Sequence, residues 1–549
     1  MVISSDYRGM DGGVLSRLRG LGSDLGPALR FAAGYRRFAR DPVSGPCGLT
    51  RIQERIARRE ERYLQFVEQR IYNYPKSPYR PLLRAAGCEL GDLRALVARR
   101  GLEETLRTLA EAGVRVSIDE FKANTPLVRG NLRLALAERD FDNPYLAHHL
   151  EVQSGGTRSA GTRVNVDLDF IRVLADDTAV AFDAHRLWDA RQAVWLPMAG
   201  TVLLAINIYA KLGRPPVKWF TQVDPRMVGT RRRWGTHFIV RWGRWMGVGL
   251  PTPEYAGLGD ASKVARWMAG EIREGRRPCL TTFASSAVRI CQAAAREGLD
   301  LRGSAFITIG EPLTQAKRKA IESAGATVLV RYAVTEAGIL GYGCANPTDS
   351  DDLHFLDDDL ALIRYPRPVG PDRIPVEGLL ITSLLPESPK VLLNVETGDY
   401  AEVTNRDCGC PLGRAGLTTH LVGVRSFEKL TGEGMTFVGT RLIRVLEEVL
   451  PARFGGRPTD YQLVEFEDET GTTRLELRVD PAVGPVDDAR VVETFFAYLD
   501  ERPGMRPMGE IWKQAGILEV RRVAPLSTRM GKLLPFHLVK GMGATGHVS

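Results

Sequence analysis

The chain has 549 residues, 44% of them hydrophobic, and a net charge of +8 left over from 74 basic and 66 acidic side chains. That length and apolar content exclude a disordered or fibrous chain and leave room for two or three globular domains. Dense charge of both signs suits an anionic ligand, and the chain has no RNP-like motif, zinc-finger spacing or basic-aromatic stripe to support nucleic-acid binding.

In chain order, the start Met1-Val-Ile-Ser-Ser-Asp-Tyr-Arg-Gly-Met10 lacks the basic region, apolar core and small-residue cleavage site of an export signal. Together with seven mostly scattered cysteines, it predicts a cytoplasmic protein. Residues 1–50 read as a Gly- and Arg-rich amphipathic arm, and residues 49–70 as an exposed helix that Asn73-Tyr-Pro-Lys-Ser-Pro-Tyr79 ends. Two further helical segments run to Ala112.

The next stretch, Glu151-Val-Gln-Ser-Gly-Gly-Thr-Arg-Ser-Ala-Gly-Thr-Arg-Val164, reads as a phosphate cradle. Gly155, Gly156 and Gly161 let consecutive N–H groups converge on an anion, Ser154 and Thr157 add hydroxyls, and Arg158 and Arg163 add charge. An ordinary surface hairpin has the same composition.

Residues 192–210 carry no charge, but Pro197, Gly200 and Asn207 interrupt them, which predicts a strand or loop feeding a core helix and no transmembrane segment. From Val164 to Gly338 helical patterns at 261–273 and 286–296 alternate with apolar runs at 305–309 and 327–330, predicting an α/β domain with a largely parallel sheet. Strands dominate from 360 to 403. Beyond Arg425 the pattern is helix 440–450, strands 461–466 and 473–479, helix 489–499 and a strand near 517–523, which predicts a small α+β domain. The divisions expected are an arm to residue 50, a large domain over 51–425 and a small one over 426–549.

Gly310-Glu311-Pro312 and Tyr332-Ala-Val-Thr335-Glu336 each follow an apolar run, so both should lie at the carboxyl ends of strands, where open α/β sheets bind ligands. Side by side they would frame a flat base against the Tyr332 ring, with Glu336 ready to hold Mg²⁺ on a phosphate. Thr397-Gly398-Asp399 offers a carboxylate to the hydroxyls of a ribose, with a plain β-turn as the competing view. Near the C-terminus, Pro525-Leu-Ser-Thr-Arg-Met-Gly-Lys532 puts a lysine on a loop, where it would neutralise charge growing on an attacked α-phosphate. Cys344, His354, Cys408 and Cys410 supply three sulfurs and an imidazole, a tetrahedral zinc set; unliganded reduced cysteines are the alternative.

These motifs, in this order from Ile71 to the C-terminus, resemble the adenylate-forming ligase superfamily, most closely its phenylacetate-CoA ligase-like branch. The resemblance implies an α/β fold with a large N-terminal domain of mixed sheets and helices, plus a small mobile α+β C-terminal domain. It implies that ATP and a small carboxylic acid give acyl-AMP, which passes to a thiol acceptor, coenzyme A or a carrier protein. By this likeness Ser154, Gly155, Gly156, Thr157 and Gly161 hold phosphates, and Gly310, Glu311, Pro312 and Tyr332 the adenine. Asp399 and Arg425 bind the ribose, Thr335 and Glu336 serve the α-phosphate and Mg²⁺, and Lys532 stabilises charge. Some members of that branch carry a structural zinc, which favours Zn²⁺ at the cysteine set. The chain departs from the family pattern at Arg158 and at the hinge, where Glu428 or Lys429 stands in place of an aspartate.

Three outcomes are carried forward: a coenzyme A ligase, an adenylating enzyme that delivers to a carrier protein or an amine, and a nucleotide-binding scaffold without catalysis. The acid pocket is expected among residues 195–209, 234–245 and 281–289, and a homodimer is left open.

Overall fold

A computed structural model describes residues 34, 35, 37, 38, 40–147, 150–153, 163–196, 200–222, 240, 241, 249–369, 374–426, 431, 432, 435, 436, 443–467, 473–500, 518–527, 533 and 535–539. The chain enters through Gly45–Ala57 and Arg59–Val67, helices broken at Arg58 and followed by a π turn, Glu68–Tyr72. The single helix expected over 49–70 is therefore two, and it starts earlier because Pro46 sits in the first turn, where a missing N–H costs nothing. Tyr35, Phe38 and Val43 pack in the core, so the end of the expected arm belongs to the body.

Helices Tyr79–Ala85, Leu90–Arg100 and Leu102–Glu111 lead to a short hairpin, β1 (Leu127–Arg129) and β2 (Leu132–Leu134). A second hairpin follows, β3 (Leu150–Gln153) and β4 (Arg163–Val166), antiparallel with Leu150 opposite Val166 and Gln153 opposite Arg163. The expected phosphate loop is the connection between these strands.

The main sheet begins at β5 (Arg191–Leu196) and continues through β6 (Lys218–Thr221), β7 (Pro253–Tyr255), β8 (Pro278–Phe283), β9 (Ala305–Ile309) and β10 (Thr327–Val334). The six run parallel in the order β7, β6, β5, β8, β9, β10. Between them lie helices Gly200–Lys211, Ala261–Arg273, Ala284–Glu297 and Gln315–Ser323. All six residues of β8 are buried, as a strand with helices on both faces requires.

β11 (Gly338–Gly343), β12 (Leu353–Phe355), β13 (Leu360–Val369), β14 (Ile374–Ser383), β15 (Val395–Asn405) and β16 (Thr419–Ser426) extend the same sheet antiparallel from β10, in the order β11, β12, β16, β15, β14, β13. The six strands from 191 to 334 are parallel, as the alternation over 164–338 predicts, and the six that follow join antiparallel, so the whole sheet is mixed. Hydrophobic alternation reads each strand's faces, and it carries no information about which edge a later strand joins.

One apolar cluster packs the helices of residues 59–111, 261–273 and 284–297 against the sheet, and a second packs Leu168–Ala184 and Gly200–Lys211. Asp167 starts Leu168–Ala184 by accepting the Phe170 N–H at 2.8 Å.

After the short pair β17 (Thr431–Gly432) and β18 (Met435–Thr436), a second unit forms with its own apolar core of Leu446, Tyr461, Leu477, Val491 and Phe495. Its helices are Leu450–Phe454, continuing a π turn Val445–Val449, and Asp488–Asp500. They cover four strands, β19 (Tyr461–Glu467), β20 (Thr473–Val479), β21 (Leu518–Arg521) and β22 (Phe536–Val539), ordered β21, β20, β19, β22. The molecule is α/β with a large mixed sheet and a small α+β unit. Among the described residues no helix is long and apolar enough to cross a membrane.

Candidate active site

β8, β9 and β10 run in register, with Phe283 opposite Ile309 and Ile309 opposite Arg331. β8 and β9 end there, which opens a crevice at their carboxyl ends. Gly310 turns the chain out with φ of 70°, a conformation that a Cβ would resist. Glu311 is buried, and both of its carboxylate oxygens are taken: the Ser285 N–H and Oγ–H each donate to it at 2.9 Å. Glu311 therefore fastens the loop to the first turn of helix Ala284–Glu297. A role as a fastener carries no sequence signal beyond the motif itself.

A β-bulge after Tyr332 turns the end of β10. The Tyr332 hydroxyl donates to Asp399 Oδ2 at 2.8 Å, and the Asp399 N–H donates to Thr397 Oγ1 at 3.2 Å. Burial and then the Asp399 charge push the Tyr332 phenol well above its ordinary range, so it stays a donor. On the neighbouring strand Arg425 donates to Asp351 Oδ2 at 2.6 Å, and the Gly423 N–H donates to Asp351 Oδ1 at 3.1 Å.

Gly310, Glu311, Pro312, Tyr332, Asp399 and Arg425 line a single cavity of about 270 Å³, together with Asp351, Tyr400, Ile443, Pro535 and Phe536. Polar atoms buried without a partner among its lining residues include Arg425 Nε and the Tyr400 hydroxyl, and burial pushes that phenol up to about 12. An unsatisfied buried polar atom costs about 1–3 kcal/mol, so an acceptor entering the cavity offsets that cost. Asp351 and Tyr400 belong to no motif in the sequence. Tyr400 is next to Asp399 in the chain, but the pairing of Asp351 with Arg425 spans 74 residues and needs the fold.

Thr335 and Glu336 lie in the turn between β10 and β11, outside the cavity lining. Burial raises the Glu138 carboxyl, Lys390 opposes the rise and the Glu336 charge adds to it, so the two carboxylates are neighbours. Glu138 accepts the N–H of Arg163, the first residue of β4, at 3.0 Å. The Glu336 charge thus acts on an acid tied to the base of the β3–β4 hairpin. Glu138 carries no signal in the sequence, since it lies in a 3₁₀ turn far from any motif.

The phosphate-loop residues Ser154, Gly155, Gly156, Thr157 and Gly161, and Lys532, lie outside the described residues. Ser527 and Leu533 bridge in antiparallel fashion and so close the ends of the segment that carries Lys532.

The four metal-ligand candidates come together as two pairs, with His354 of the first 54 residues from Cys408 of the second. His354 Nε2 lies 3.5 Å from Cys408 Sγ and 3.1 Å from Cys410 Sγ. A hydrogen bond from Cys344, and then one with His354, pull the Cys410 thiol well below its ordinary range. His354 Nδ1 lies 2.7 Å from the Leu417 carbonyl, which fixes the proton on that nitrogen and leaves the Nε2 lone pair to accept from a thiol or to bind a metal beside the sulfurs. The N–H groups of Asn346 and Cys410 donate to Cys344 Sγ at 3.3 Å and Cys408 Sγ at 3.5 Å. The donor set and its outer hydrogen bonds fit a tetrahedral zinc.

His420, paired with His354 across β12 and β16, was missed in the sequence because it follows no cysteine spacing. One donor atom each from Cys344, His354, Cys408 and His420 lie within 4.8 Å of one another. His420 Nδ1 is held by Asp352 at 2.7 Å, while its Nε2 is buried without a partner.

No family model matches the chain, and no curated protein does. Solved structures do resemble it. A 2-hydroxyisobutyryl-CoA ligase in complex with 2-HIB-AMP and CoA is 17% identical over 89% of this chain and 90% of its own, with a TM-score of 0.42. An anthranilate CoA ligase in complex with anthranoyl-AMP is 11% identical over 70% of this chain and 64% of its own, TM-score 0.42. The O-succinylbenzoate coenzyme A synthetase of Bacillus subtilis, in complex with ATP and magnesium ion, is 13% identical over 71% and 69%, TM-score 0.39. Likeness at these TM-scores does not decide what the chain does; that falls to its own residues.

Proposed function

We propose that the chain is an adenylate-forming ligase of the phenylacetate-CoA ligase-like kind, which activates a carboxylic acid with ATP and passes the acyl group to coenzyme A. The observation that carries this reading is the cavity of about 270 Å³ where six residues chosen from four separate motifs meet. An ATP site needs a flat slot beside an aromatic ring, a carboxylate for the ribose and a cation nearby. Tyr332, Asp399 and Arg425 supply these within one wall.

In the first half-reaction an oxygen of the acid attacks the α-phosphorus, the bond to the bridging oxygen breaks, and pyrophosphate leaves. Gly310 and Pro312 hold the base against Tyr332, Asp399 and Arg425 hold the ribose, and the 154–162 loop holds the departing phosphates. Lys532 meets the charge that grows on the α-phosphate. Glu336, with Glu138 beside it, would hold Mg²⁺, which neutralises phosphate charge. In the second half-reaction a thiol sulfur attacks the acyl carbon and AMP leaves. Cys344, His354, Cys408 and Cys410 would hold a zinc ion that ties two loops together without taking part in either step.

The test is pyrophosphate release from ATP and Mg²⁺ with a panel of carboxylic acids, followed by addition of coenzyme A. We expect acid-dependent release and a thioester. A protein that binds ATP but releases no pyrophosphate with any acid would be a scaffold, and the reading would fall.

A further inference from the structure

Arg331 immediately precedes Tyr332 on β10, so its side chain leaves the opposite face of the sheet. It is 6% exposed and sits level with the last residues of β8 and β9, at the rim of the crevice. Its guanidinium lies against two phenols, Tyr209 from helix Gly200–Lys211 and Tyr342, its partner across β11. Tyr342 is 2.7 Å from Thr178 Oγ1, which itself donates to the Leu174 carbonyl at 2.6 Å. Tyr342 must therefore donate to Thr178, which leaves the phenol oxygen as an acceptor facing Arg331. Tyr209 is 2.6 Å from Thr281 Oγ1. These neighbours still leave Arg331 Nε and Nη1 buried with no acceptor.

Among the described residues no carboxylate pairs with Arg331. The buried carboxylate whose charge reaches Tyr342, that of Asp177, is already held by Arg55 at 2.7 Å. An arginine cannot shed its proton to escape burial, and its free Nε and Nη1 groups point to different sides of the guanidinium, each without an acceptor. Phenols accept hydrogen bonds without neutralising the charge. The buried cation thus lacks an anion that a ligand from outside the chain would supply, in the region expected from the sequence to form the acid pocket.

We propose that Arg331 determines specificity by binding a second carboxylate, so that the substrate is a dicarboxylic acid activated at its other end. This rests on the adenylation reading above. Tyr209 and Tyr342 orient the guanidinium, and the remaining carboxylate is the one that reaches the α-phosphate.

The experiment measures pyrophosphate release by the full chain with matched pairs of acids: butanoate and succinate, hexanoate and adipate, phenylacetate and 4-carboxyphenylacetate. Within at least one pair we expect the diacid to exceed the monoacid in kcat/KM by roughly 10²-fold or more, because a buried cation left without its anion penalises the analogue that lacks the group. Arg331→Met should reverse that order and leave the KM for ATP unchanged. Arg331→Lys, which keeps the charge and loses the planar guanidinium, should fall between, and it stands in if the methionine variant does not fold. Turnover of monoacids with diacids no better in every pair overturns the assignment while adenylation stands. No pyrophosphate with any acid overturns adenylation itself, and Arg331 with it.

Discussion

Lys532 and Glu311 show how differently two residues of one short-motif set act. Glu311 spends both oxygens on Ser285 and is a positioning group, so its loss should move the loop that lines the cavity rather than the chemistry. Lys532 follows a glycine on a segment whose ends meet at Ser527 and Leu533, and Pro535 and Phe536, just beyond it, line the cavity. A lysine within that span stands three residues before the cavity lining in the chain. Lys532→Ala should therefore slow pyrophosphate release by about 10²–10³-fold, the scale for losing one group that stabilises developing charge. The same variant should form thioester from supplied acyl-AMP at the parent rate. Equal loss in both steps would assign Lys532 to folding or to binding.

At the scale of elements, much of the fold could be read from the sequence. The helix over 261–273, the strands 305–309 and 473–479 and the break at 73–79 stand where their patterns put them. Periodicity is a local property, and these elements are locally determined. The pairing of β12 with β16, which brings His420 beside His354, and the pairing of Asp351 with Arg425 depend on sheet order, and no window of sequence carries that. The site was legible wherever a motif spans a strand end, as at Gly310 and Tyr332. It was illegible where a lone residue such as Glu138 or Arg331 matters only through what the fold places around it.

The cysteine set links the loop after β11 to the loop between β15 and β16, so metal there acts on elements. We expect about one zinc per chain by elemental analysis, and its loss in Cys408→Ser with Cys410→Ser. The double variant should unfold at lower temperature. A metal-free parent protein of full stability would remove zinc from the account.

A second junction of elements is Arg55, whose guanidinium meets Asp176 at 3.1 Å, Asp177 at 2.7 Å, Asp358 at 2.6 Å and Asp359 at 3.3 Å. Arg51 also meets Asp176, at 2.7 Å, and two cations among four buried carboxylates still leave excess negative charge. Burial, then the Asp358 charge, push the Asp359 carboxyl up to about 7, and burial pushes Asp167 up to about 6. A carboxyl with a raised folded pKa binds its proton before the unfolded chain does, so stability rises as pH falls through that value. Between about pH 8 and pH 6.5 the protein should gain stability on the order of 1 kcal/mol. Below about 6.5 His185, held neutral chiefly by burial, opposes the gain because the unfolded imidazole protonates first. Urea midpoints should rise as pH falls from about 8 to about 6, with His185 offsetting part of the gain, and Asp359→Asn should flatten the rise. A midpoint that climbs steadily to pH 8 would contradict this.

For the whole molecule, the junction that matters joins the small unit to the large one. Glu447, from the π turn of the small unit, is buried against Lys317 at 2.8 Å and also accepts from the Thr314 hydroxyl, both on the first turn of helix Gln315–Ser323 or its cap. Both charges are almost wholly buried, so each depends on the other. Breaking such a pair from one side costs about 3–5 kcal/mol because the remaining charge is stranded. If the small unit turns between the half-reactions, this pair has to open in every cycle and favours the arrangement in which it is closed. Glu447→Gln strands Lys317, so proteolysis between the units, at residues 427–442, should become at least tenfold faster. The two half-reactions should then change in opposite directions: the one that needs the closed pair slows, and the other holds its rate or gains. Lys317→Met in the Glu447→Gln background removes the stranded charge and should restore much of the protease resistance without restoring the closed pair's bias. Equal slowing of both half-reactions, with unchanged proteolysis, would mean that the pair serves only the core of the large unit and that the small unit does not open there.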